Sequence, residues 1–537
     1  MLHVAKLVAG SPTEFVRLDS ARGRWIIAAT ALGSGMVFLD GTVVNVALPR
    51  IQTDLGVPLS GLQWIVDGYA LFLAALLLVG GSLGDVYGRR KAFLAGLTVF
   101  TISSIACGLA PDAGMLIASR AVQGIGGALL VPGSLAMIKA VIAPADSGRA
   151  IGLWAGLSGV TTAIGPLVGG YFVGAVSWRL IFFLNVPLAL ATFVATWNHV
   201  PENSDPEASR RLDWPGSLAT VVGLAGITFG LIQGPAIGWL NPLVLLALIL
   251  GSLALVAFPF LELSSPHPIV PLKLFRSSNF SASNLATLGV YFAFNGAFLF
   301  LVLKLQQVQH YSPIEAGASL LPVTVLLLLL SPRVGGLIGR FGARLLMTTG
   351  AAVIGVAFVL MALEGSSPSY WTELLPAVLV LGLGMSIFIT PLTATVMSSV
   401  PGDFVGVASG INNAVSRVAA VLAVAGLGVV VASQFQAGLS SRDSHLNLPA
   451  AARIALVKGA GNLANDPIPA SLPASQRRAV RRAITDSYVG AFRWAILTCA
   501  VLCFLSSTVS ALLIGRDRER DLPAARTTSE DAVAPTL

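Results

Sequence analysis

The sequence predicts an all-helical protein that crosses a membrane many times. Three observations carry this. Only 11% of the 537 residues are Asp, Glu, Lys or Arg and 55% are apolar, whereas a soluble domain carries roughly 25% charged residues. So little charge cannot cover a water-facing surface. The mean hydropathy is +0.82. The apolar residues also come in runs of about 20, the length one helix needs to cross a hydrocarbon core. They lack the alternating pattern, about ten residues long, of a membrane barrel.

Fourteen such runs are read, at 25–48, 63–84, 92–110, 114–138, 150–174, 180–198, 214–234, 240–261, 280–303, 316–338, 345–363, 373–399, 406–432 and 491–514. At ~20 residues each they consume roughly 280 residues, which leaves loops but no room for a large soluble catalytic domain. The first twenty residues hold no apolar core followed by a small-residue cleavage site, so the first run is expected to remain as a span.

The chain has 25 acids and 33 bases, a net charge of +8, and a pI near 9.7. In a soluble protein this would raise nucleic acid as a partner; here the location of the bases explains it. Twenty Lys and Arg lie in the tails and loops of one side, against Arg50, Arg179 and Lys304 in the short loops of the other. By the positive-inside rule both termini are expected in the cytoplasm. The exception is a long outer loop, 433–490, with seven bases including Arg477, Arg478, Arg481 and Arg482. They read either as a solvated helix face or as an interfacial helix on anionic lipid.

Two halves align. Gly81, Leu83, Gly88 and Arg90 recur 254 positions later as Gly335, Leu337, Gly342 and Arg344, and Gly124, Gly126 and Gly152 recur 258 positions later as Gly382, Gly384 and Gly410. Internal repetition in a polytopic protein points to a transporter built from two related bundles. The expected organisation is an N-terminal segment 1–24, a six-helix bundle 25–199, linkers with two inserted helices 200–279, a second six-helix bundle 280–514, and a tail 515–537.

Charges inside spans are rare and costly, which makes them functional candidates. Asp40 lies about 22 Å along span 1 at 1.5 Å per residue. Arg120 in span 4 and Asp67 in span 2 fall at similar depth. An acid beside Arg120 changes its hold on a proton when the arginine moves or a cation arrives, so Asp40, Arg120 and Asp67 are proton-coupling candidates. A buried structural ion pair is the alternative for Asp40 and Arg120, and a helix-start residue for Asp67. Arg417 lies near the middle of span 13 and needs a partner or a wet cavity. Asn45, Gln123, Asn295, Asn413 and Arg417 are candidate substrate-cavity residues. Trp64 and Trp178, at outer span ends, read as interface anchors.

The loop between spans 2 and 3 reads Gly81-Ser82-Leu83-Gly84-Asp85-Val86-Tyr87-Gly88-Arg89-Arg90-Lys91. It resembles the signature loop of the major facilitator superfamily. The sequences Leu39-Asp40-Gly41-Thr42, Gln63-Trp64-Ile65-Val66-Asp67 and Arg120-Ala121-Val122-Gln123-Gly124, with Gly152, Gly156, Gly159, Gly165, Pro166, Gly169 and Gly170 of span 5, are similar to the fourteen-span drug:proton antiporters of the EmrB/QacA type. The resemblance implies the major facilitator fold, a conformational latch formed by Gly81, Asp85, Gly88, Arg89 and Arg90, and an antiporter motif formed by Gly156, Gly159, Gly165, Pro166, Gly169 and Gly170. In the second copy of the loop Gly339 stands where Asp85 would be. The alternatives are a basic turn that only sets topology, and ordinary glycine packing.

The expected function is export of amphipathic drugs across the plasma membrane, driven by protons rather than by a cofactor, by a multi-pass chain that works as a monomer in the lipid bilayer. No Gly-x-x-x-x-Gly-Lys-Ser/Thr loop is present, so ATP drive is not expected. Cys107, Cys499 and Cys503 lie in apolar runs and the five histidines are scattered; neither set has metal-ligand spacing. Two other readings stay open: export of a native metabolite, lipid or siderophore, and a non-transporting sensor on the same scaffold. An enzyme is not expected, since no catalytic cluster stands at a loop edge.

Overall fold

The computed structural model describes residues 15–203, 213–266, 268–365, 369–401, 404–443 and 472–515. Lys6, Arg210, Arg211, the four arginines of the tail and residues 444–471 of the long outer loop lie outside the described residues. Within them the chain is helical, and the one β-bridge pairs Val16 with Ile142.

Among the described residues thirteen helices are long and apolar enough to cross a membrane. They are α1 (Ala21–Leu55), α2 (Leu59–Tyr87), α3 (Arg89–Leu109), α4 (Ala113–Val141), α5 (Pro144–Ala175), α6 (Leu180–His199), α7 (Trp214–Ile237) and α8 (Pro242–Ser264), then α9 (Ser278–Val308), α10 (Pro313–Leu363), α11 (Tyr370–Ser398), α12 (Val405–Asp443) and α13 (Ala474–Leu513). The protein is therefore a multi-pass, all-α membrane protein. Helix α10 is 51 residues long and breaks at Gly342, whose φ of 77° and ψ of 151° are not helical. Its two arms occupy the positions of spans ten and eleven, so the count of fourteen fits.

Short polar side chains start several of the helices. Ser20 accepts from the Gly23 amide at 3.0 Å, Asp112 from Met115 at 2.9 Å and Asp213 from Gly216 at 3.0 Å. Each satisfies an amide that a first helical turn leaves unpaired. Gly88 ends α2 at φ 107°, a conformation that only glycine adopts at low cost. Gly342 is its repeat partner, so both halves turn between successive spans on an equivalent glycine. The helix contacts repeat as well. A Cβ on Gly126 would lie 2.9 Å from the Gly96 carbonyl, and one on Gly384 would lie 3.1 Å from that of Gly350. Close helix approach through small residues is thus built twice.

Helices α1 to α6 pack on one another, and α9 to α13 form the second group. The inserted pair α7 and α8 attaches through α7 to α2 and α12. The halves meet along α2 and α12. They also meet where the end of α5 touches the start of α10, at the face opposite the 85–91 loop: a Cβ on Gly170 would run into Pro313 and Ile314, and one on Gly317 into Pro166. We call the face with the 85–91 loop the loop face, and the opposite one the far face.

Three expectations change here. The outer loop is shorter than 433–490, because α12 continues to Asp443 and α13 begins at Ala474. Arg477, Arg478, Arg481 and Arg482 therefore stand on an extension of the last span rather than on a separate interfacial helix. Trp178 is fully buried and donates its indole N–H to Asp54 at 3.0 Å; it packs inside the bundle and does not anchor at the lipid interface. Lys304 is not a solvated loop cation. It is buried in a turn of π-helix at the end of α9 and pairs with buried Glu364 at 2.9 Å. Burial pushes the Glu364 carboxyl above the ordinary glutamate range, with the Lys304 ammonium opposing it.

Candidate functional site

Two intramembrane charges meet, one from α4 and one from α1. Arg120 of α4 is 1% exposed and forms an ion pair with Asp40 of α1, which is fully buried. Its Nε donates to the Ile65 carbonyl at 3.1 Å, its Nη1 donates to Gln123 Oε1 at 2.8 Å, and its guanidinium lies 4.1 Å from the centre of the Tyr69 ring. Gln123, one turn along α4, donates in return to Asp40 Oδ1 at 2.9 Å. Asn185 of α6 donates to the same oxygen at 3.2 Å. A buried ion pair persists only when its remaining donors and acceptors are satisfied, and these two amides do that. Asn185 and Tyr69 are the members that sequence reasoning missed; the one available signal was an amide inside the apolar run 180–198.

Asp67 does not join this cluster. It is fully buried, and neither carboxylate oxygen has a hydrogen-bond partner among the described residues. One turn before it, Gln63 donates to the Val424 carbonyl at 2.7 Å. One turn after it, Leu71 packs with Leu224 and Val421. Helical spacing therefore puts Asp67 on the face of α2 that meets α7 and α12. Buried polar groups are nearly always paired, so an unpaired carboxyl needs a reason.

Beside the Asp40–Arg120 pair lies a central cavity between the halves. Asn45, Tyr69, Asn295, Thr324, Phe358 and Arg417 are among its lining, together with Arg120, and no Asp or Glu is. Asn45, Asn295 and Arg417 stand where a substrate-cavity role would need them. Gln123 and Asn413 do not. Gln123 is turned into the ion pair, and Asn413 is an exposed residue that donates to the Ser409 carbonyl at 3.0 Å. Asn412 points instead to α9, donating to Thr287 at 2.8 Å. On the far side of the cavity Gln306 donates to the Val46 carbonyl at 2.9 Å and Gln307 to Gln52 at 2.8 Å. These two amides tie the π-helical turn of α9 to α1.

The antiporter-motif residues divide along α5. A Cβ on Gly165 would press on Thr42 and Leu39, and one on Gly169 would lie 3.2 Å from the Val43 carbonyl; Pro166 and Gly170 meet α10. Gly156 and Gly159, like Gly152, face open space. Close packing through the first part of the motif, expected from its spacing, is absent because α5 and α10 meet only at their far-face ends. The 85–91 loop is held within its own half. Asp85 pairs with Arg89 at 2.8 Å, the Arg90 side chain donates to the Trp197 carbonyl at 2.9 Å and stacks on its ring, and the Arg90 amide donates to Glu202 at 3.1 Å. Gly81 lies near Pro132, and a Cβ on Gly88 would strike Glu202. Among the described residues these polar contacts stay within the first half, and the expected bridge between bundles is not formed in this conformation.

The model of the Major Facilitator Superfamily matches residues 30–424. The chain belongs to that superfamily. The multidrug resistance protein Stp of Mycobacterium tuberculosis is 35% identical over 414 residues, covering 77% of this chain and 76% of the relative. The tetracenomycin C resistance and export protein of Streptomyces glaucescens is 32% identical over 514 residues and 93% of both chains. Among solved structures, an inward-facing bacterial homolog of the human lysosomal transporter Spinster aligns at a TM-score of 0.63 and 17% identity, over 91% of this chain and 98% of that one. A peptide transporter, POT, in complex with sulfate aligns at 0.60 and 14%, over 94% and 99%. At such identities the structures show the fold alone. This major facilitator protein thus has the transporter fold of its superfamily, and its sequence relatives are drug- and antibiotic-resistance proteins.

Proposed function

We propose that the chain expels amphipathic, drug-like molecules across the plasma membrane in exchange for protons, by alternating access of two helix bundles. The loop face and both termini lie in the cytoplasm in this reading. The observation that carries it is the placement of a fully buried carboxylate, Asp40, behind the arginine that borders the central cavity. When the cavity faces outward, Asp40 takes up a proton as the substrate leaves, and the pair with Arg120 weakens. When the cavity faces the cytoplasm, return of Arg120 to Asp40 displaces that proton inward and readies the cavity for the next substrate. Asp67, unpaired at the junction of α2, α7 and α12, is the second proton carrier. The motif of α5 supports this: its second part packs on α1 and α10 at the far face, while Gly156 and Gly159 in its first part meet no neighbour. The relatives named for multidrug resistance and for export support the direction of transport.

The test is flux of a fluorescent drug into proteoliposomes under an imposed pH gradient. Asp40→Asn is expected to bind the drug and to lose gradient-driven flux. Undiminished gradient-driven flux in Asp40→Asn would overturn the assignment.

A further inference from the structure

Two cavities between the halves carry arginines that have no acidic partner among the described residues. In the central cavity Arg120 is neutralised by Asp40, but Arg417 is not neutralised. Among the described residues Arg417 has no ion pair and no hydrogen bond; the contact it does make is with the ring of Phe38, whose centre is 5.1 Å away. The rest of the wall is uncharged: Asn45, Asn295 and Thr324 are polar, and most of the remainder is apolar or aromatic, including Phe294, Phe298, Leu320 and Met361. A guanidinium at this depth needs an anion or water, and an acid-free wall has no carboxylate to pair with a cation, leaving only the weaker attraction of its aromatic faces.

A second cavity opens on the far face, above the Gln306 and Gln307 tie. Arg50, Arg477, Arg478, Arg481 and His310 line it, again with no Asp or Glu. Arg50 pairs with Asp54 at 3.2 Å, and the other three arginines have no ion pair among the described residues. Membrane topology does not account for them, because the bias in short loops runs toward positive residues on the cytoplasmic side. A cleft lined by one sign of charge concentrates the opposite sign.

We infer that the substrate is an amphipathic anion: an apolar, preferably aromatic body bearing one carboxylate, sulfonate or phosphate. Arg417 receives the anionic group in the central cavity, with the bidentate geometry that guanidinium offers such groups. The arginine chamber draws it outward when the far face opens. This deepens the export reading and rests on it for direction, whereas the charge preference is a property of binding alone.

The experiment uses the full chain in phosphatidylcholine nanodiscs without a gradient, with empty discs as background. Three pyrene probes that share one ring system carry a sulfonate, an alcohol or a trimethylammonium group, and binding is read by fluorescence anisotropy. The sulfonate is expected to bind about tenfold or more tightly than the ammonium, as one charge-assisted hydrogen-bonded contact supports. Arg417→Gln is expected to weaken the sulfonate far more than the alcohol, removing that preference, and Arg417→Lys to keep part of it. Equal or tighter binding of the ammonium by the parent protein overturns the inference, and so does an unchanged sulfonate-to-alcohol ratio in Arg417→Gln. If the glutamine variant does not fold, the parent's ratio and Arg417→Lys decide. Phosphatidylglycerol added to the discs is expected to leave sulfonate binding intact; displacement would make the lipid headgroup the ligand and overturn the substrate assignment. A loss of charge preference leaves proton-driven export standing, and a failure of proton drive leaves charge preference standing.

Discussion

The Asp40–Arg120 pair makes a prediction about stability as sharp as the one about transport. Arg120→Gln leaves Asp40 fully buried with its two amide donors and no cation. Breaking one side of a buried pair costs about 3–5 kcal/mol. Asp40→Asn is milder. The new amide still accepts one hydrogen bond, and Arg120 keeps the Ile65 carbonyl, Gln123 and the Tyr69 ring while bordering the cavity. Its cost is about 1–3 kcal/mol, that of a buried donor set left partly unsatisfied. The double variant carries neither charge. It should therefore be more stable than Arg120→Gln alone, with a coupling of about 1–3 kcal/mol. Thermal unfolding in nanodiscs, followed by tryptophan fluorescence, gives the order of midpoints: parent, then Asp40→Asn, with Arg120→Gln lowest and the double variant above it. If the double variant melts below Arg120→Gln by the full Asp40→Asn decrement, the two residues do not form a coupled pair and the site as described is wrong.

Other outcomes follow from the same geometry. Asp67→Asn removes no hydrogen bond seen among the described residues, so its unfolding midpoint should match the parent within the equivalent of about 1 kcal/mol, while gradient-driven flux falls; a large loss of stability would mean that Asp67 holds the fold. Gly169→Leu should block folding or far-face closure by colliding with Val43, at about 1–3 kcal/mol for overpacking, whereas Gly156→Leu should unfold like the parent. Gly88→Ala and Gly342→Ala should each cost about 1–3 kcal/mol from the strained backbone, Gly88→Ala more because of Glu202. For Arg477→Gln/Arg478→Gln/Arg481→Gln we expect a flatter salt dependence of anionic-probe association from the far face, measured by stopped flow.

Span positions were legible because the bilayer demands about 20 apolar residues per crossing, and that demand is written in composition. The glycine turn was legible for a related reason. Gly88 and Gly342 stand 254 residues apart in equivalent sequence, and the backbone at both positions has positive φ. Asp40 and Arg120 stood out because charge is so scarce inside spans. Their partners were hidden. Asn185 reaches Asp40 across 145 residues, and nothing in an apolar run marks one amide as a ligand for another helix. Glu364 ends an apolar run as many loop acids do, and only the fold brings Lys304 to it. The division of the α5 glycines was also invisible, since identical spacing serves a packed face and an open one. Which of them packs depends on the partner helix and on the conformation.

The last helix reaches well past what a membrane requires. Residues 474–490 precede the apolar run and continue it as helix, about 25 Å of it at 1.5 Å per residue. Val480 and Ile484 of this stretch are buried, and Arg477, Arg478 and Arg481 share a cavity with Arg50 of α1. The extension thus carries the last span of the second bundle over to the end of the first helix of the other. A tilt of one bundle against the other changes the separation of Arg477 from α1. Spin labels placed there and at the far end of α1 would read the transport cycle as a distance.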